Sequence, residues 1–355
     1  MSAKYYDWNK TLSFDAPITM VCGARGIGKT YGLRMQFIRD YLKDGSRFVA
    51  VTRFRNKIGA VASKYFTKLE EKGEFPNLTF KIEGRYAYLS REKDAKGKAK
   101  WELFGYFVAL TEHQDIKELT FSNVKRIVLD EFILDRMDTQ YRRYLPDEWG
   151  KMASIIDTVS RERADDESKP PRVYLLGNAL SIVNPYFEPL KIHDLPQRGY
   201  TWHAEKLVLL HFSDDFEYSQ RKATETVAGR MLSIAGQASA NIYNTFVISN
   251  TESLAQKPKS AHFIFGVVHK GRELGVWGDP NEMRYYINRK IPNNAIPIFS
   301  ISAEDKQINY RMARRGERKL LALAELFNEG NLFFDTEATR ANMLEVLNLY
   351  GVRLK

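Results

Sequence analysis

The sequence predicts an α/β domain built on a mostly parallel sheet, then a short linker and a smaller α+β domain, and three observations lead there. A short apolar run enters a glycine-rich loop that opens into a helical stretch. A second apolar run ends in two adjacent acids. Beyond residue 250, hairpin-spaced strands precede two helical segments, the order expected of an α+β unit.

The first element carries the most chemistry. Gly23-Ala24-Arg25-Gly26-Ile27-Gly28-Lys29-Thr30 fits G-x-x-x-x-G-K-[ST], and Ile18 to Cys22 before it reads as a buried strand. The glycines let successive backbone N–H groups converge on an anion, Lys29 can reach β and γ phosphates, and the Thr30 hydroxyl suits Mg²⁺. From Tyr31 to Leu42 apolar residues recur at helical spacing, so a helix N-terminus would face the phosphates. ATP and Mg²⁺ are the implied cofactors.

A phosphate loop serves kinases, GTPases and motors alike, so the second acidic motif decides. Arg126-Ile127-Val128-Leu129-Asp130-Glu131 reads as a buried parallel strand that delivers two carboxylates to a nucleotide crevice. Asp130 is placed for the metal shell and Glu131 for the attacking water, which suggests hydrolysis rather than transfer to an alcohol. Between the motifs, Arg47 to Thr52 is another buried strand; an extra strand and a catalytic glutamate together are the plan of the additional-strand division of P-loop ATPases. Pro171 to Asn178 supplies a further strand ending in a polar residue, and Asn178 can bond the water or the γ-phosphate. The helix expected over 148–163 ends in Arg161 and Arg163, cations that either reach a neighbouring subunit's nucleotide or simply suit a helix C-terminus.

Bulk properties narrow the setting. A net charge of +10 favours an acidic partner, with nucleic acid the commonest. One cysteine, Cys22, excludes an intrachain disulfide framework and reads as a small buried thiol. Neither a signal-type apolar stretch nor a run near the ~20 apolar residues of a membrane helix is evident, so a cytosolic protein without a membrane partner is expected.

With these residues assembled, the chain resembles the DNA-packaging (encapsidation) ATPases of small, short-tailed phi29-like phages. The stretches that carry the likeness are Gly23 to Thr30, Asp130 to Ile133, Asp157 to Arg163, Asn178-Ala179, Ser181 to Phe187 (Ser-Ile-Val-Asn-Pro-Tyr-Phe) and Leu274-Gly275-Val276-Trp277. The resemblance implies a ring of identical subunits, a pentamer in that family, docked on the portal of a procapsid in the infected host's cytoplasm. ATP hydrolysis there drives double-stranded DNA inward, in some systems with a packaging RNA. Position by position it assigns Lys29 and Thr30 to phosphate and Mg²⁺, Asp130 to the metal, Glu131 to catalysis and Arg161 to action in trans. Arg55 aligns with a second trans-acting basic position, a lysine in the best-known relative. After Glu131, where that relative has a basic pair, this chain has Leu134-Asp135-Arg136, leaving Arg136 alone to contact DNA from that loop.

Other DNA-contact candidates come from the residues. The segment Lys81 to Val108 reads as two strands flanking a loop with Arg91, Lys93, Lys96, Lys98 and Lys100, which either lines a pore or is a solvated hairpin tip; Lys117 is a further candidate. Domain limits are placed at 1–199 for the ATPase, 200–250 for a partly helical linker and 251–355 for the C-terminal domain. There, Phe263–Val268, Glu273–Trp277 and Arg284–Ile287 read as antiparallel strands, with helices over 308–328 and 337–347. The resemblance makes this domain RNase H-like and a vestigial nuclease. Its acids, Glu273, Asp279, Glu282, Glu304 and Asp305, mostly fall in turns, so cleavage of DNA is not expected. Arg311, Arg314, Arg315, Arg318 and Lys319 are read as opening the penultimate helix, as a nucleic-acid grip or an ordinary charged face. The rival functions are a related hexameric or plasmid-transfer translocase, and a nucleotide-gated assembly adaptor.

Overall fold

A computed structural model describes residues 6–92, 97–134, 144–161, 170–178, 184–192, 198–213, 224–234, 253–281 and 284–350. The chain divides into two compact units, residues 1–190 with 196–247, and 191–195 with 248–355.

In the first unit the elements run α1 (Trp8–Ser13), β1 (Ile18–Cys22), α2 (Lys29–Asp44), β2 (Arg47–Thr52), α3 (Ile58–Ala62), α4 (Thr67–Glu71), β3 (Thr79–Glu83), β4 (Tyr86–Ser90), β5 (Glu102–Ala109), β6 (Val124–Asp130), α5 (Glu148–Arg161), β7 (Arg172–Gly177), β8 (Gly199–His203), β9 (Val208–Phe212) and α6 (Val227–Ile234). The strands form one nine-stranded sheet ordered β3-β4-β5-β2-β6-β7-β1-β9-β8. Its six central strands are mutually parallel, and antiparallel pairs close both ends. Parallel strands are buried on both faces, which is why β1, β2 and β7 read as unbroken apolar runs instead of alternating ones.

Two expectations change here. The strand interposed between the phosphate-loop strand β1 and the acidic strand β6 is β7, hydrogen-bonded to both, whereas β2 lies beyond β6. Sequence order misleads because a crossover can place the later strand inside. Residues 199–212, assigned from sequence partly to a linker, form β8 and β9 at one end of this sheet.

The core of this unit centres on Phe48, which is 1% exposed. Its ring stacks on Phe37 at 4.9 Å and Tyr65 at 5.6 Å and meets Phe104 edge-on at 5.0 Å. Helix α2 contributes Leu33, Phe37, Ile38 and Tyr41 to the same cluster, so the phosphate-loop helix is anchored by its apolar stripe. That anchoring fixes the helix N-terminus that the site uses.

The second unit holds β10 (His262–His269), β11 (Arg272–Asp279), β12 (Arg284–Asn288), β13 (Ile298–Ser300), β14 (Tyr310–Met312), α7 (Arg318–Asn328), β15 (Leu332–Phe334) and α8 (Glu337–Leu347). Its sheet order is β14-β13-β10-β11-β12-β15. Strands β10 and β11 are joined by Lys270 and Gly271, both at positive φ (53° and 71°), the two-residue hairpin turn that matches strand twist. The antiparallel β10-β11-β12 meander was expected, and so was α8. The helix expected from residue 308 begins instead at Arg318, because residues 310–312 pair in parallel with β13. Of the basic cluster placed at that helix's start, only Arg318 and Lys319 lie in it; Arg311 is on β14. The apolar faces of α7 and α8, including Leu320, Leu323, Met343 and Leu347, pack with Phe265, Leu274, Val276 and Phe334.

Candidate functional site

The C-terminal ends of β1, β6 and β7 converge, and the site is built there. Cys22 ends β1, its thiol pushed up to about 12 by burial, which leaves it an inert apolar neighbour of the loop. Gly26 and Gly28 have φ of 99° and 89°, a left-handed backbone that would strain a side chain; Gly28 caps α2. Ala24 and Ile27 are buried and Arg25 is exposed, so the loop turns these apolar side chains inward.

Lys29 is 7% exposed, and its ammonium donates to the carbonyls of Gly23 (2.7 Å) and Ala24 (2.9 Å) and to Asn178 Oδ1 (3.4 Å). Asn178 is therefore brought to the phosphate loop by the end of β7. Across the cleft, Thr30 Oγ1 donates to Asp130 Oδ2 at 2.8 Å, joining two motifs that lie 100 residues apart. The Asp130 carboxylate meets solvent through the cleft mouth but has protein on most other sides. That desolvation raises its pKa above the usual carboxylate value, against the Thr30 hydrogen bond and the charge of Arg34; Glu131 adds to the rise. Arg34, one turn along α2, lies over the Tyr65 ring at 3.9 Å and donates to the Tyr65 carbonyl at 2.8 Å.

Glu131 turns out of β6 at a φ of 57°, uncommon for a residue with a side chain. Its N–H donates to Asp130 Oδ1 (3.0 Å), and Phe132 N–H donates to the Leu176 carbonyl of β7 (3.0 Å). The strand end is thus bent so that both acids can share one crevice.

The remaining assigned residues occupy several places. Arg55 follows β2 at this same end of the sheet; it is 74% exposed and pairs at 3.1 Å with Glu112, which is buried and also binds Arg85. Arg161 closes α5, more than half exposed, and its Nε donates to Asp157 at 3.0 Å. A 14-residue helix puts it about 20 Å along the axis from Glu148. Lys98 and Lys100 precede β5, at the opposite end of the parallel strands from the nucleotide cleft. Both are exposed, as is Lys117, whose ammonium donates to Gln114. Lys93, Lys96, Arg136 and Arg163 lie outside the described residues.

Two groups were missed from sequence. One straps the loop from its outer side: Tyr6 N–H donates to the Ile27 carbonyl (2.8 Å) and Trp8 Nε1 to the Lys29 carbonyl (2.9 Å). The Tyr6 hydroxyl lies 2.6 Å from His211 Nδ1, and the His211 ring stacks on Tyr200 at 3.8 Å. Burial, helped by the charge of Lys10, pushes His211 down to about 4. The other group is Arg53, Glu148 and Tyr186 behind the Glu131 turn. Arg53 sits one residue past a well-marked strand, and Tyr186 falls within the Asn-Pro-Tyr-Phe stretch, but nothing in their spacing pairs them.

Comparison with known proteins accords with this geometry. Residues 1–350 match the model of the podovirus DNA encapsidation protein (Gp16) family. The DNA packaging protein of Bacillus phage phi29 is 29% identical over 338 residues, 95% of each chain, and that of Bacillus phage B103 is 28% identical over 331 residues, 93% of this chain and 96% of the other. A chain of the solved bacteriophage Phi-29 viral genome packaging motor assembly superposes with a TM-score of 0.71 at 26% identity, covering 98% of this chain and all of its own. The Phi-28 gp11 DNA packaging motor shares the fold, with a TM-score of 0.59 at 18% identity and full coverage of both chains. A phosphate loop joined through Thr30 to an Asp-Glu strand end, in a chain matched nearly throughout, leads to one conclusion: the chain belongs to the podovirus DNA encapsidation protein (Gp16) family and is a viral DNA-packaging ATPase.

Proposed function

We propose that the chain is one subunit of a homo-oligomeric ring, a pentamer docked on a procapsid portal, which couples ATP hydrolysis to entry of double-stranded DNA. The observation that carries this is the 2.8 Å contact between Thr30 and Asp130, with Lys29, Asn178 and the bent Glu131 turn around it. Two hard oxygen donors this close suit Mg²⁺, which keeps several waters and prefers one carboxylate and one hydroxyl beside substrate phosphates. When bound, the ion would neutralise charge on the β and γ oxygens. Residues 23–30 hold the phosphates by backbone N–H groups, and Lys29 exchanges its loop carbonyls for phosphate oxygens. Glu131 takes the proton of the attacking water while Asn178 orients that water.

Arg161 and Arg55 act on the neighbouring subunit's nucleotide. Their exposure supports this, and so does the distance of Arg161 along α5 from Glu148. The duplex is gripped through its phosphates by cations, with the exposed Lys98, Lys100 and Lys117 the described candidates and Lys93, Lys96 and Arg136 further candidates outside the described residues. A packaging RNA is a compatible further partner. Among the described residues no helix is long and apolar enough to cross a membrane, in keeping with work in the host cytoplasm at the procapsid.

The C-terminal unit is read as RNase H-like, supported by the run β12-β11-β10-β13-β14 with β10 antiparallel to β11 and parallel to β13. Two of its acids serve its own turns: Asp279 accepts from Ser260 and Asn281, and Asp305 from Lys270, Gly271 and Ser302; Glu273 lies on β11, and Glu282 lies outside the described residues. This supports a domain without nuclease action.

Glu131→Gln tests the reading. The variant should bind ATP as wild type does while turnover falls by roughly 10²–10⁴, the usual share of a general base, and DNA uptake stops. Packaging at the wild-type rate would instead mark the chain as a nucleotide-gated adaptor.

A further inference from the structure

Arg53 immediately follows β2, and its side chain, 9% exposed, lies beside the Glu131 turn and spends all three guanidinium nitrogens there. Nη1 donates to the Glu131 carbonyl (2.7 Å), Nη2 to the Phe132 carbonyl (2.8 Å) and Nε to Glu148 Oε1 (2.8 Å). Glu148 is completely buried at the start of α5 and is fully engaged: Oε1 also accepts from Leu145 N–H (2.9 Å), and Oε2 accepts from the Tyr186 hydroxyl (2.9 Å). Tyr186 is held in turn. Asn184 Oδ1 accepts from the N–H groups of Tyr186 and Phe187, both at 3.0 Å, and the Tyr186 ring meets Phe132 edge-on at 5.4 Å.

A buried carboxylate and guanidinium give poor net stability compared with apolar packing, so their value lies elsewhere. Here the planar fork has a specific task. Glu131 is in a left-handed backbone conformation, and two parallel N–H donors on consecutive carbonyls fix the direction in which the chain leaves it. Lysine, whose three donors radiate from one nitrogen, lacks the planar fork that here spreads three separate nitrogens over both carbonyls and Glu148.

We propose that Arg53 is a positioning residue for ATP hydrolysis, fixing the Glu131 turn through the 131 and 132 carbonyls, with Glu148 and Tyr186 as its buried support. The Asn184–Phe187 segment thereby belongs to the hydrolytic machinery, and α5 carries the support at one end and Arg161 at the other. This rests on Glu131 being the base.

The test uses the full chain with ATP, Mg²⁺ and duplex DNA, comparing wild type, Arg53→Lys, Glu131→Gln and the double variant, with Kd for a fluorescent ATP analogue measured in parallel. A displacement of about 1 Å at the base costs on the order of 10²-fold, so kcat of Arg53→Lys should fall about 10- to 100-fold while analogue affinity changes less than about threefold. The double variant should be no slower in single turnover than Glu131→Gln alone, because Arg53 acts through that residue. A general structural defect would lower affinity and rate together, and would be additive with Glu131→Gln; either result overturns the proposal. So does wild-type kcat in Arg53→Lys beside an inactive Glu131→Gln. An active Glu131→Gln would overturn the assignment of the base itself, and with it the positioning role. If Arg53→Lys loses its melting transition, Tyr186→Phe, which removes one hydroxyl from the Glu148 shell, should show the same split between kcat and affinity at smaller size; equal loss in both, or none, refutes it.

Discussion

Acidification should weaken the nucleotide-binding unit through one residue, His211. Its ring lies between Tyr200, stacked at 3.8 Å, and the Tyr6 hydroxyl at 2.6 Å, with the charge of Lys10 nearby, and its pKa is driven from 6.5 to about 4. Because the folded pKa is depressed, the unfolded chain binds the extra proton between these values. Stability contributed by the neutral ring is complete above pH 6.5 and is lost as pH falls toward 4. Integrating that difference down to pH 5 gives up to about 2 kcal/mol, or roughly 4–8 °C in Tm for a unit of this size. His211→Asn keeps an acceptor for Tyr6 but cannot titrate in this range. Melting curves of both proteins from pH 7.5 to 5 should diverge, the wild type falling further by that amount. Parallel curves would refute the account of the strap.

Mixing Arg161→Ala subunits with Lys29→Ala subunits should restore part of the ATP turnover that each lacks alone, because intact sites form where an Arg161 faces a Lys29; no restoration at any ratio, with rings seen by imaging, would refute action in trans. Affinity for duplex DNA should fall about 10³-fold or more between 50 and 200 mM salt if six or more phosphates are contacted, independent of base sequence, as titration by fluorescence anisotropy would show. A flat salt response would exclude a phosphate grip. Phe48→Ala should cost about 3–5 kcal/mol, measured by denaturant unfolding, since it empties the centre of a ring stack that anchors α2.

Much of the site was legible because its signals are local. The phosphate loop is contiguous, and β1 and β2 have the limits their apolar runs suggest. Strand adjacency was not legible: β7 lies between β1 and β6 because of the crossover path, which no short window records. Arg53, Glu148 and Tyr186 escaped for a related reason. They are separated by 95 and 38 residues, and their value arises only when β2, α5 and the Asn-Pro-Tyr-Phe turn are folded together. Residues 308–317 show tertiary override of local preference, since ladder partners on β13 outweighed a helical pattern.

Where the described part of the C-terminal unit resumes at Ser253, its residues join the end of β15. Leu254 bridges Phe334, Ala255 N–H donates to the Phe334 carbonyl at 2.9 Å, and Gln256 Nε2 donates to the Asp335 carbonyl at 3.1 Å. A protease cut on the N-terminal side of Ser253 would sever none of these links. The fragment released would keep every strand of its own sheet while leaving behind residues 191–195 and 248–252 of the unit, so a trimmed polypeptide starting there is the natural starting point for studying that sheet in isolation.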